Sequence, residues 1–593
     1  MLPASWSPRA RRLALVTVLA LVVVALALPP LLAPWIGQRL RAEAAARGFE
    51  ARWGSMSFAW PAHLELRDLA VTRPDGRGAT VARVRADLGL RGFPPRPRLA
   101  RLGADDVRIA LPATPSAEDE SPLTDDRPQR GAPAAPRVRA ASSQLVEAAL
   151  LPARRLPELS LTGLVVTRGD SSFARLDAFT LSRVQGGVQL AATGAFTSDL
   201  PVPFSIAMQW HADDRLQGRV AFDVPDPAGA THPLTITVDG GLTQDRRAGR
   251  VRLADGTRVE VGGLPLVMGA TLERDGPRFS GAIEVEGATA AGVQRALPRP
   301  VLGPLADLPV AGSWDWRASL VLDVGQPDSC RFTADVVPHG LAITGSDANL
   351  RLARLAGPFV ATLHVPRGTV VRDLSSANPH FRSLDRIAPE LRDAVVTNED
   401  GGFHRHRGFN TAALEGAMAA NLRAGRFERG AGTITMQLAR NLFLGHRRTL
   451  SRKGQEVVLA WVIEHLTPLS KDRLLEIYLN VIEWGPGVHG ADEGARFYFD
   501  KDAGDLTLDE ALFMTVVVPS PSRWRSRLAA DGTLRPWARA QMAFIARKMA
   551  ERGVLDPARV PAADSLRVIL RGEAARAFAP PADSTVTGLA DPL

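Results

Sequence analysis

Cysteine is nearly missing from this chain of 593 residues, Cys330 being the only one. One thiol excludes an internal disulfide framework and leaves no cysteine cluster to hold a metal. Lysine is scarce too: Lys453, Lys471, Lys501 and Lys548 are the only ones among 72 Lys+Arg, so arginine carries the formal charge of +9. A basic balance invites phosphate-bearing partners, and an arginine-biased proteome explains it equally well. No zinc-finger spacing and no Lys/Arg-rich run is present, so no nucleic-acid partner is expected. Charge is absent from Leu13 to Ile36, a run longer than the roughly 20 residues that cross a bilayer.

Arg9, Arg11 and Arg12 precede that run, which predicts a cytoplasmic N-terminus and places everything after Ile36 outside the cytoplasm. Ala25-Leu26-Ala27 imitates a signal-peptide cleavage site, the rival reading. The length of the run, with Pro29-Pro30 just after that site, favours an uncleaved anchor. The expected localisation is therefore the inner membrane, single-pass, with the bulk of the chain in the periplasm. Arg39 to Arg47 reads as a short helix leaving the membrane.

Apolar residues make up 45% of the chain, and its length suits two to four domains. From Trp53 to Pro112 the hydropathy alternates with period two, as in Leu64-Glu65-Leu66 and Val81-Ala82-Arg83-Val84. This is the pattern of strands with one buried face. Ala113 to Arg139 is rich in Pro, Ser, Asp, Glu and Ala and reads as a flexible linker. Alternation resumes from Leu159 to about Leu355, where Asp255-Gly256 and Asp275-Gly276 carry the hairpin-turn signal.

An internal repeat runs through this region. Leu64-x-Leu66-x-x-Leu69-x-Val71-Thr72-Arg73-x-Asp75 recurs 95 residues later as Leu159-x-Leu161-x-x-Leu164-x-Val166-Thr167-Arg168-x-Asp170. Repeated strand pairs directly after one anchor helix resemble the AsmA-like envelope proteins, which have elongated, lipid-accommodating sheets. An ordinary antiparallel sandwich fits the pattern as well.

Near Asn378 the period becomes helical. Helices are predicted over Thr411–Ala424, stopped by Gly425, and over Arg452–Leu466, Lys471–Ile482, Asp509–Val518 and Arg535–Arg552. Ser451 and Ser470 read as N-caps, and Thr507-Leu508-Asp509-Glu510 as a capping box. Beyond Gly553 the tail is expected to fray. The resulting boundaries are a cytoplasmic tail at 1–12, an anchor at 13–36, β-rich parts at 45–112 and 156–355 around a linker at 113–155, a helical domain at 375–545, and a tail at 546–593.

The helical region carries the chemistry. Glu399-Asp400-Gly401-Gly402-Phe403-His404-Arg405-His406-Arg407-Gly408 fits Glu-Asp-x-x-Phe-x-x-His-x-Gly. In order after it come Gly430-Ala431-Gly432-Thr433-Ile434-Thr435-Met436-Gln437 with Arg440-Asn441, then Arg452-Lys453-Gly454-Gln455-Glu456. Lys471-x-x-Leu474-Leu475-x-x-Tyr478-x-Asn480 and Val518-Pro519-Ser520-Pro521-Ser522-Arg523-Trp524 complete the series. These motifs resemble the signatures of glycosyltransferase family 51, the transglycosylase module of penicillin-binding proteins and of monofunctional biosynthetic transglycosylases. Gly432 stands where the family has serine, and Arg440 where it has lysine. Two of the four lysines, Lys453 and Lys471, fall inside signatures.

The resemblance implies a mainly α, lysozyme-like domain that polymerises lipid II with inversion and releases undecaprenyl pyrophosphate. It implies Glu399 as the base for the acceptor hydroxyl, and Glu456 as a second essential carboxylate that orients cations or a divalent ion, Mg or Mn. Asp400, Phe403, His406, Thr433, Thr435, Gln437, Arg440, Asn441, Arg448, Arg452, Lys453, Lys471, Tyr478 and Asn480 carry over as substrate-binding positions. The partners implied are lipid II, the lipid-linked glycan strand, the bacterial inner membrane and cell-wall synthesis proteins. Ser-x-x-Lys and Lys-Thr-Gly are absent, and about 70 residues follow Trp524, so peptide crosslinking is not expected. A lytic transglycosylase has no pyrophosphate to neutralise, which sets it against the Arg440–Lys453 cluster. A non-catalytic lipid-binding protein would have no need of intact Glu399 and Glu456.

Overall fold

The computed structural model describes residues 33–59, 63–73, 77–91, 96–111, 134–150, 157–168, 171–197, 201–274, 277–345, 350–365, 368–445 and 450–578. They fall into two compact units. The first holds the described residues up to 111 together with 139–285 and 295–300; the second holds 134–138, 286–294 and everything from 301. Most of the apolar run at Leu13–Ile36 lies outside the described residues, as do Asp275-Gly276 and Arg448. Among the described residues no helix is long and apolar enough to cross a membrane.

The first unit starts with a helix over residues 33–46 (α1). Strands β1 (Glu50–Arg52), β2 (Ser55–Ala59), β3 (His63–Thr72), β4 (Gly78–Arg91) and β5 (Arg96–Leu111) follow, then helix α2 (Pro136–Ala149). After it come β6 (Glu158–Arg168), β7 (Ser171–Val184), β8 (Gly187–Phe196), β9 (Val202–His211), β10 (Arg215–Pro225), β11 (Thr231–Asp245), β12 (Arg250–Val261), β13 (Leu264–Glu273) and β14 (Arg278–Ala288). Each strand from β3 to β14 lies beside the next in chain order, and β1 and β2 both pair with β3.

Neighbours in this sheet are antiparallel except β5 and β6, which run parallel. A parallel step needs a long crossover, and the segment expected to be a linker supplies it. Its described part is not irregular: α2 occupies Pro136–Ala149. The linker expected at 113–155 is corrected to that extent.

The repeat is structural as well as sequential. In β3–β4, Leu64, Leu66, Leu69 and Val71 face Ala86, Val84, Val81 and Ala79. In β6–β7, Leu159, Leu161, Leu164 and Val166 face Leu181, Phe179, Leu176 and Ala174, so every partner is displaced by the same 95 positions. The two-residue gap in each leucine series would flip the later leucines to the opposite face. A left-handed residue absorbs it, Asp68 (φ 53°) in the first copy and Gly163 (φ 66°) in the second, acting as a bulge that keeps the apolar side chains on one face. Asp255-Gly256 behaves similarly. It is not the expected hairpin turn but lies inside β12, where the register with β13 slips between Leu253 and Thr257.

The second unit takes the chain through α3 (Ala290–Ala296) and α4 (Arg299–Leu302) into the hairpin β15 (Val310–Asp323) and β16 (Arg331–Ile343). A second hairpin, β17 (Phe359–Val365) and β18 (Gly368–Leu374), precedes the helices. These are α5 (Pro389–Glu399), α6 (Thr411–Ala424), α7 (Ile434–Phe443), α8 (Leu450–Leu466) and α9 (Lys471–Val481). A small ribbon, β19 (Glu483–Gly485) and β20 (Val488–His489), leads to α10 (Ala491–Phe499), α11 (Leu508–Val517), α12 (Pro536–Glu551) and α13 (Glu573–Phe578).

The dense core lies here, since side chains with no exposed surface begin at Leu355 and recur through Val395, Leu438, Tyr478 and Phe513. Both hairpins belong to this unit. The Phe332 N–H of β16 donates to Glu415 on α6, and Arg423 of α6 pairs with Asp328 beside β16. Arg473 of α9 donates to the carbonyls of Leu355 and Gly357, and Ala361 of β17 is fully buried. The boundary expected near Leu355 therefore moves back to about 301.

Helix ends follow their capping chemistry. Ser470 accepts from the Arg473 N–H, Thr507 and Glu510 close a capping box, and Gly425 (φ 64°) ends α6. Ser451 is not a cap, because α8 already begins at Leu450. The tail does not fray as far as Phe578. The Arg571 N–H donates to the Tyr498 carbonyl, Leu566 and Ala574 are buried, and Phe578 packs on Trp524.

Candidate active site

Helix α5 starts on Pro389, whose fixed φ suits a first helical position, and buries Leu391, Ala394 and Val395. Its last residue is Glu399, and Asp400 breaks from helical geometry at φ −156°, ψ 73°. A β-carbon on Gly402 would come within 2.4 Å of the Asn410 amide, so the turn after Glu399 needs glycine there. Glu399 thus sits at the negative end of a helix, where an anion gains nothing from the dipole. Burial pushes its carboxyl above the ordinary carboxylate range, against the opposing hydrogen bonds from Gln437 and Asn398 and the nearby Arg440 charge. Asn398 Nδ2 donates to Oε1 at 2.8 Å and Gln437 Nε2 to Oε2 at 3.0 Å.

Asp400 is buried and faces inward. It accepts from His406 Nε2 at 2.9 Å and from the Ile434 N–H at 3.2 Å, which fixes the start of α7 against the end of α5. Thr433 caps α7, accepting from the Met436 N–H at 3.2 Å and donating to the Gly408 carbonyl at 2.7 Å. Gly408 (φ 94°) lies so near α8 that a β-carbon would meet the Trp461 backbone at 3.0 Å. Thr435 is fully buried and donates to Glu464. Glu464 is paired at 2.7 Å with Lys471, whose ammonium lies 4.3 Å from the centre of the Phe403 ring. Asn480 is buried, its amide donating to the carbonyls of Arg382 and Glu476 and accepting from the Arg382 N–H.

Thr433, Thr435 and Asn480 therefore have their polar groups engaged inside the protein, and their expected substrate contact is corrected accordingly. The signature pattern marks them, but their work here is to lock α7, α8 and α9 together.

The cationic side of the site lies on α8. Glu456 is buried at 2% exposure and takes Arg452 Nη1 at 2.5 Å and Lys453 Nζ at 2.9 Å. Lys453 is half exposed and reaches the turn before α7, where a β-carbon on Gly432 would lie 3.5 Å from its Nζ. A serine there would bring a hydroxyl to that ammonium. Arg440 on α7 is close enough to Glu399 to favour its anion, and Asn441 follows it on the same helix.

Both Glu456 oxygens are held by cations. Among the described residues no three His, Cys, Asp or Glu side chains converge on a metal position.

Sequence reasoning missed Glu464, Asn398 and the buried group of Arg382 with Asp492 and Asp502, joined at 2.9 and 2.6 Å. Glu464 had one signal: it stands eight residues after Glu456 on the apolar face of α8, where a lone acid needs a partner.

Residues 367–550 match the transglycosylase family. The biosynthetic peptidoglycan transglycosylase of Thiobacillus denitrificans is 48% identical over 172 residues, which cover 27% of this chain and 73% of that protein. The protein of the same description from Laribacter hongkongensis is 42% identical over 154 residues, covering 25% and 67%. That from Paraburkholderia phytofirmans is 41% identical over 139 residues, covering 23% of this chain and 57% of its own length. The β-sheet unit lies outside the family match. Since relatives 48% and 42% identical are matched over 73% and 67% of their own length, the chain belongs to the biosynthetic peptidoglycan transglycosylases.

Proposed function

We propose that this protein is a peptidoglycan glycosyltransferase that polymerises lipid II into glycan strands and releases undecaprenyl pyrophosphate. The observation that carries the reading is the pairing of two sites: a half-buried carboxylate of raised proton affinity on α5, and a cation cluster pinned by Glu456 on α8. A sugar hydroxyl is a weak nucleophile at neutral pH and needs a base as the bond forms. Glu399 takes the proton of the acceptor's 4-hydroxyl while that oxygen attacks the anomeric carbon of the lipid-linked strand from the opposite side. The anomeric bond to pyrophosphate breaks, and charge grows on the leaving group. Preorganised cations stabilise that charge most when they need not move to meet it. Glu456 supplies the preorganisation for Arg452 and Lys453, with Arg440 on α7 as a further cation.

The Leu13–Ile36 run anchors the chain in the inner membrane with the catalytic unit in the periplasm, where a lipid-borne substrate is available. The sheet resembles AsmA-like regions and stands between that run and the enzyme. Incubating the full chain in detergent with lipid II should yield glycan strands sensitive to lysozyme. Absence of polymer at any pH or salt would overturn the reading.

A further inference from the structure

Tyr478 of α9 is fully buried, and its hydroxyl donates to Gln437 Oε1 at 3.1 Å. The other end of that amide, Nε2, donates to Glu399 Oε2 at 3.0 Å. Three helices thus contribute one side chain each to a single line of hydrogen bonds. An amide has a donor end and an acceptor end, and a 180° turn exchanges them. With the donor end toward Glu399 it suits a carboxylate; with the carbonyl toward Glu399 it suits only the protonated acid.

The tyrosine decides between the two. Its hydroxyl has one proton to place, and Gln437 Oε1 is its hydrogen-bond partner among the described residues. Turning the amide would leave that proton, on a fully buried side chain, without its acceptor, which is costly. Burial holds the phenol well above its ordinary range, so it stays a donor throughout the working pH range.

We infer that Tyr478 and Gln437 are positioning residues, a fixed-polarity relay that holds the Glu399 carboxylate in its ionised form and aims its free lone pairs at the acceptor hydroxyl. This rests on Glu399 being the base. The relay opposes burial, which by itself would keep Glu399 protonated. Other charged groups around it are Arg440 on α7, Asp400 paired with His406, and Arg552 just after α12, which donates to Thr397 on α5 and faces Asp393 and Asp400. Helix α11 packs on α5 too; its acids Asp509 and Glu510 are confined to its first turn, where Glu510 is paired with Lys501.

Tyr478→Phe in the full chain removes only the hydroxyl. The acid limb of kcat against pH should move up by about one unit, so that kcat falls roughly tenfold below the limb and recovers above it. KM for lipid II should stay within about twofold. Gln437→Met, which removes the donor itself, should move the limb at least as far. A loss of kcat equal at every pH, or a rise in KM with an unmoved limb, would overturn the inference. If the parent protein makes no polymer, the proposed function has failed, and the relay is tested by itself. A difference infrared titration against Glu399→Gln then reads the Glu399 carboxyl directly. Its midpoint should rise by about one unit in Tyr478→Phe, and an unmoved midpoint rejects the relay.

Discussion

Glu399 combines two demands on one side chain. In the proposed role of base it must be ionised, yet burial raises its pKa above the ordinary value. A group whose folded-state pKa lies above its unfolded value favours folding at low pH, and that contribution is lost as pH rises through the folded pKa. At neutral pH the ionised Glu399 therefore weighs against the fold. Glu399→Gln should lower turnover by about 10²- to 10⁴-fold without lowering the melting temperature at neutral pH. A large drop in melting temperature would mean the carboxylate is structural. Glu456 is the opposite case, a buried acid with a cation on each oxygen. Glu456→Gln and Lys453→Ala should each depress kcat severely, whereas Arg440→Lys, which keeps the charge, should cost only a few-fold. Equal damage from Arg440→Lys and Lys453→Ala in the polymerisation assay would show that α7 is misplaced relative to the pyrophosphate. Glu399 with Asp400, and Lys453 with Glu456, could be grouped from sequence because their spacing is fixed within short motifs. Glu464 and Arg382 could not, because their partners Thr435, Lys471, Asp492 and Asp502 come from other elements. Spacing also could not show that Thr435 and Asn480 point into the protein.

At the scale of elements, legibility followed local chemistry. Helices α6, α9 and α11 were readable to within a residue because Gly425, Ser470 and Thr507 terminate them with their own side chains or their lack of one. Ser451 misled because a serine in the first turn looks like a cap in sequence, and Asp255-Gly256 because a bulge and a tight turn ask for the same residues. Helix α11 makes a direct test of capping. Its ten residues are apolar beyond the first turn and pack against α5, which ends in Glu399. Thr507→Ala removes the acceptor for the Glu510 N–H, and should cost about 1 kcal/mol of unfolding free energy, read as a lower urea midpoint with unchanged slope. A midpoint unchanged from the parent would show that packing on α5 and α12 holds α11 without its cap.

For the whole molecule, the change from strand to helical periodicity near Asn378 was visible, but it is not where the compact unit begins. Strand patterning is the same in a strand of the long sheet and in a hairpin that belongs to the enzyme, so only three-dimensional contacts separate them. Val301 accepts from Gln455 at 2.8 Å, next to Glu456 on α8. Leu355 and Gly357 accept from Arg473, and Arg372 of β18 pairs with Glu493 at 2.7 Å. Removing these partners would cost hydrogen bonds of about 1 kcal/mol each, and would uncover the side chains that pack on Ala361 and Leu363. Two truncations separate the alternatives. A chain beginning at Glu286 keeps both hairpins and should melt in one cooperative transition and polymerise lipid II in detergent. A chain beginning at residue 375 retains every catalytic signature, yet should melt far lower or fail to fold. If the shorter chain matches the longer one in melting temperature and turnover, the hairpins are not part of the enzyme's core, and the catalytic unit starts where the helical periodicity does.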